Sequence, residues 1–164
     1  MRSYGGKIGA TEGYKGGKGI EKNTILFRKS GITSSSLSKL SEPVDPALIA
    51  KLEAKGWKID IAKPGSDDLR WLNYQNAEAC INSGVPKHVL IREGATKSAL
   101  LEEILHAKQL ELGLLEKYGS YQALEVHVKD FMLRHAEILG LNNKNDIALL
   151  QRLKIEEINR LNKL

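Results

Sequence analysis

One cysteine, Cys80, stands in 164 residues, so an internal disulfide is excluded and the fold must rest on its apolar core. Two tryptophans, five tyrosines and two phenylalanines are all the aromatics, and none is grouped with a run of lysines or arginines. That scarcity argues against a stacking platform for nucleic acid, although a net charge of +5 would permit phosphate contacts. Basic and acidic residues alternate along the chain, as on a solvated mixed surface. No stretch approaches the roughly 18 apolar residues of a membrane span. The first residues also lack the apolar centre of a cleavable signal, so neither anchor nor signal is expected.

What remains is one domain's worth of ordinary globular sequence, preceded by an unusual lead-in. Residues 1–19 hold seven glycines mixed with lysine and tyrosine, and read as a linker or mobile arm, leaving 20–164 as the domain. The Gly-Gly-Lys-Gly there lacks the spacing of a phosphate-binding loop. Thr24 to Arg28 is a strand candidate, and Ser30 to Ser41 is a serine-rich loop. Asp45-Pro46 opens a helix that Gly56 closes; Trp57 to Ile61 alternates like a half-exposed strand. Ser66 caps a helix expected to run to Gly84, carrying Leu69, Leu72, Ala79 and Cys80. His88 to Arg92 suits a buried strand, and a helix from about Thr96 to Gly113 follows. Two more helices, Tyr121 to Leu139 and about Asp146 to Leu161, complete the chain. The order implies an α+β fold, a small β-sheet backed by helices, with the central helix followed by two C-terminal ones.

The central helix carries Glu102-Glu103-Ile104-Leu105-His106. Glu102 and His106 lie one turn apart on one face, with Glu103 about 100° round from Glu102, so the three polar heads can converge. Lys108 and Glu111 fall on the far side. If those two face water, Glu102 and His106 point inward, where they must be paired or coordinated because buried isolated charge is costly. Nitrogen and carboxylate donors suit zinc, and a glutamate beside the ligands suits a general base. The spacing departs from His-Glu-x-x-His by a glutamate in the first ligand position. The plain alternative is a hydrogen-bonded pair one turn apart.

The segment Leu100 to Gln109, preceded by a strand and followed by a second helix bearing acidic and histidine residues, resembles the zincin-like metallopeptidase toxin domains of bacterial polymorphic toxin systems. The glycine-rich lead-in resembles the junction joining such modules to a larger delivery protein. The resemblance implies a zincin-like fold and a zinc-dependent peptide-bond hydrolase, with one zinc ion held by Glu102 and His106 and with Glu103 as general base. It places the third ligand on the following helix, at Glu125 or His127; two residues apart on a helix is about 200°, so both cannot reach one metal. His135, in an apolar stripe with Leu124, Val128 and Phe131, is a third candidate, with a satisfied core histidine as its plainer reading. Tyr118 or Tyr121 could donate to an oxyanion. A cognate immunity protein, acidic by charge complementarity, and a protein or peptide substrate are the implied partners, with secretion or delivery into a target cell as part of a larger bacterial protein.

Two other classes stay open. A nuclease toxin could use His106 with Glu103 as an acid-base pair on a phosphodiester, and a non-enzymatic binding module would need neither. A di-iron carboxylate bundle is disfavoured, since the Glu103-x-x-His106 spacing has no second copy.

Overall fold

The structure, a computed structural model, describes residues 24–25, 41–82 and 84–163. The glycine-rich arm and most of the serine-rich loop lie outside them. Among the described residues the elements are β1 (Thr24–Ile25), α1 (Pro46–Ala54), β2 (Lys58–Ala62), α2 (Asp67–Gln75), β3 (Ala79–Asn82), β4 (His88–Arg92), α3 (Lys97–Glu111), α4 (Leu114–Tyr118), α5 (Tyr121–Arg134) and α6 (Lys144–Asn162). The α+β class expected from the sequence is therefore present.

Local chemistry sets the helix starts. Asp45 accepts from Ala47 N with Pro46 in the first turn, Ser66 accepts from Leu69 N, Thr96 from Ala99 N, and Ser120 from Ala123 N. Each cap satisfies one amide that the helix itself cannot, worth about 1 kcal/mol. Gly113, at φ +73°, lets the chain turn out of α3 directly into α4.

The expected helix from Ser66 to Gly84 is a correction. It stops at Gln75, where Asn76 takes a left-handed conformation with φ 55°, and Ala79–Asn82 is a strand, so Cys80 lies in β3 and not in a helix. A run of three apolar residues, Ala79-Cys80-Ile81, is ambiguous by periodicity; pairing between β1 and β4, with both faces buried, decides it. The helix expected to reach Leu139 likewise ends at Arg134, and the chain passes through turns to Gly140 at φ +73°. Leu139 still packs against the core beside Leu141.

The sheet order is β1-β3-β4-β2. β2 and β4 are parallel, with Lys58 opposite His88 and Ala62 opposite Arg92, while β3 is antiparallel to both β1 and β4. Successive side chains point to opposite faces. Ile59, Ile81, Val89 and Ile91 therefore pack one way with Leu100 and Ile104 of α3 and Leu124 of α5. Ala62, Cys80 and Leu90 pack the other way against Trp71 and Leu72 of α2. A third cluster, Leu101, Val128, Met132 and Leu150, joins α3, α5 and α6. At roughly 1.5–3 kcal/mol per large buried apolar side chain, these clusters hold α3 and α5 in fixed register.

On the α2 face, His88 Nε2 lies 2.7 Å from Asp60 Oδ2 and its Nδ1 lies 3.3 Å from Asn82 Nδ2. Asn82 Oδ1 accepts from Gly84 N, which fixes the amide so that its nitrogen faces the ring. Both ring nitrogens are engaged, so this trio ties β2, β3 and β4 together. No described helix is long and apolar enough to cross a membrane.

Candidate metal centre

Lys108 and Glu111 are exposed, and Glu102 and His106 are both fully buried, so α3 is oriented as its sequence requires. The face bearing Glu102, His106 and Gln109 meets α5. There, Glu125 brings a third donor: one ligand atom from each of Glu102, His106 and Glu125 lies within 4.8 Å of the others. His106 Nε2 is 3.3 Å from Glu125 Oε1 and 3.6 Å from Glu102 Oε2. Tetrahedral zinc with bonds of about 2.0–2.1 Å separates its ligands by about 3.3–3.4 Å, close to both spacings. Glu125 Oε2 is buried and accepts no hydrogen bond. One imidazole and two carboxylates, one of them with an oxygen still to satisfy, form a donor set that could hold a metal ion.

Lys129, one turn beyond Glu125 on α5, is 1% exposed and places its ammonium at the same carboxylates. Its Nζ is 2.6 Å from Glu125 Oε1, 2.9 Å from Glu102 Oε2 and 3.7 Å from Glu157 Oε2 of α6. Glu157, itself buried, also takes hydrogen bonds from Gln122 and, at 3.1 Å, from Arg160 on Oε1. Three carboxylates thus gather round one ammonium in a buried space. Burial pushes the Glu125 carboxyl upward, but Lys129 and His106 beside it outweigh that effect and hold it at about 2.

Gln109 orients the histidine. Its Nε2 donates to Leu124 O at 3.2 Å and approaches His127 Nδ1 at 2.9 Å, so Oε1 is the atom left to accept from His106 Nδ1 at 2.7 Å. With Nδ1 committed as a donor, Nε2 faces the carboxylates, as donor in the imidazolium or as ligand in the neutral ring. A metal centre with histidine commonly has such a partner behind the ring.

Comparison of the chain with family models, with curated proteins and with solved structures finds no match in any of the three.

The other residues singled out from the sequence lie as follows. Glu103 is 1% exposed but is not part of the group formed by Glu102, His106 and Glu125. Its charge reaches Cys80 instead, whose thiol is pushed well up by burial first and by Glu103 and Asp68 next. His127 is half-buried, bonded to Gln109 and tilted against the Tyr118 ring at 4.9 Å between centroids. His135 is exposed at the C-cap of α5, its ring 4.4 Å from that of Phe131, so it is not a core histidine. The apolar stripe drifts off that face as α5 ends, and Phe131 is itself 36% exposed. Tyr118 is exposed and Tyr121 packs against the sheet-facing core. Lys129, Gln109 and Glu157 were not singled out from the sequence; the spacings His106 to Gln109 and Glu125 to Lys129 are the signals that could have found the first two.

Proposed function

We propose that this chain is a zinc-dependent peptide-bond hydrolase, acting as the C-terminal toxin module of a bacterial polymorphic toxin, with Glu102, His106 and Glu125 as zinc ligands. The observation that carries the reading is the meeting of one imidazole nitrogen and two carboxylates from α3 and α5 within 4.8 Å, all buried. Two buried carboxylates, Glu102 and Glu125, share one ammonium there, so a metal ion would have charge to pair with. A bound zinc would supply Lewis acidity, polarising a carbonyl and acidifying water. The chain's own part is to hold the ligands through Gln109 and the α3–α5 packing, and to move a proton. Glu103, next to the first ligand on the same helix, would accept a proton from the attacking water and deliver it to the leaving amine. The zincin-like resemblance of Leu100 to Gln109 supports the same assignment. Under this reading the partners are a protein or peptide substrate and an acidic immunity protein that covers the site.

The test is elemental analysis of the purified protein beside a His106→Ala control. About one zinc per chain, absent from the control, is the expected result; no zinc in either sample after zinc is offered would sink the assignment.

Lys129 favours a second reading. An ammonium already bonded to two of the three donors makes the cluster a charge lock between α3, α5 and α6, as in a non-enzymatic binding module. That protein would take up no zinc and would keep its activity in a Glu103→Ala variant.

A further inference from the structure

The metal-centre reading leaves one side chain unexplained: a lysine directed into a set of cation ligands. A divalent ion on His106 Nε2 would use the carboxylate oxygens nearest that nitrogen, Glu102 Oε2 at 3.6 Å and Glu125 Oε1 at 3.3 Å, and these are the two that the ammonium now bonds at 2.9 and 2.6 Å. Two cations on the same pair of oxygens repel strongly in a buried site, so both cannot be there at once. The lysine, however, has somewhere to go. Glu157 Oε2 lies only 3.7 Å from Nζ, beyond a close hydrogen bond but within reach of a small change in the flexible side chain. Glu157 is 6% exposed and belongs to α6, outside the α3–α5 ligand set.

We infer that Lys129 is the resident counter-cation of this site: its ammonium and a divalent metal ion use the Glu102 and Glu125 oxygens in alternation, and Glu157 receives the ammonium when the metal binds. The inference rests on the proposed metal-centre reading. It explains how the buried carboxylates stay compensated without metal, and it makes metal affinity a competition set by two residues that are not ligands. Glu157 contributes by drawing Lys129 away, so losing its charge should weaken metal binding even though it touches no metal.

The experiment is calorimetric titration of zinc into EDTA-treated, dialysed protein, comparing wild type, Lys129→Met and Glu157→Gln, with circular dichroism to confirm folding. Lys129→Met is expected to bind zinc at least tenfold more tightly, and Glu157→Gln at least threefold more weakly. Wild-type binding with Lys129→Met equal or weaker would overturn the competition while leaving the metal centre standing. Should Lys129→Met not fold, Glu157→Gln decides: an unchanged affinity beside a wild type that binds overturns the inference. Absence of zinc binding in every folded sample would overturn the metal-centre reading itself, and this inference with it.

Discussion

Lys129 Nζ lies 2.6 Å from Glu125 Oε1, one helical turn away on α5, and the same ammonium reaches across to Glu102 on α3. A charge that bridges two helices from a nearly solvent-free position is strongly coupled to stability, because removing either partner strands the other. In the presence of EDTA, Lys129→Met should lose roughly 3–5 kcal/mol of unfolding free energy. Denaturant titration measures this directly, and a loss below about 1 kcal/mol would show that the carboxylates are compensated in some other way.

Glu125 and His127 make opposite predictions. Glu125→Ala should strip zinc from the protein, while His127→Ala, which alters only the contacts to Gln109 and Tyr118, should retain it. The reverse pattern would move the third ligand to His127.

For Gln109→Leu, the side chain keeps its approximate size but can no longer hold His106 Nδ1. Loss of such a supporting bond typically lowers metal affinity by about 10- to 100-fold. An affinity equal to wild type would mean that core packing alone fixes the ring.

Glu103→Gln is expected to leave zinc content and melting temperature near wild type while lowering hydrolysis by roughly 10²- to 10⁴-fold, the usual worth of a positioned base. On the proposed toxin reading, toxicity on expression in bacteria is the practical readout. Undiminished killing would remove Glu103 from the mechanism.

Acid titration offers a check on the electrostatics. The folded-state carboxyl of Glu125 is held at about 2, below its ordinary value of 4.5. The folded protein therefore resists protonation there more than the unfolded chain does. Its contribution to stability is complete above about pH 4.5 and is lost as pH falls toward 2. In EDTA, the stability gap between wild type and Glu125→Gln should narrow over that window; a gap that is constant or widens on acidification would contradict the depressed value.

Sequence alone determined much of this arrangement. The cap at Ser66 and the helix start at Asp45-Pro46 were legible because a hydroxyl or carboxylate before an apolar-periodic run has one common use. The inward direction of Glu102 and His106 followed from Lys108 and Glu111 on the far side of one helix. Choosing Glu125 over His127 did not follow, because the rotation of α5 is set by which of its residues meets α3. Lys129 was hidden for a different reason: lysine is almost always solvated, and only the convergence of carboxylates from three helices makes its burial possible. Ala79–Asn82 escaped because its three apolar residues, Ala79, Cys80 and Ile81, fit helix and strand equally until neighbouring strands are in place.

All three donors and Lys129 come from one uninterrupted stretch, Glu102 to Lys129, closed by the short α4 and the glycine turns on either side of it. Few residues need be ordered to bring α3 against α5, so loop closure costs little and this hairpin of helices, like the local β3–β4 pairing, can form ahead of the distant β1–β3 pairing of Thr24 with Asn82. The site is then an early-forming unit, and its amides should be among the last to exchange with solvent in the native protein.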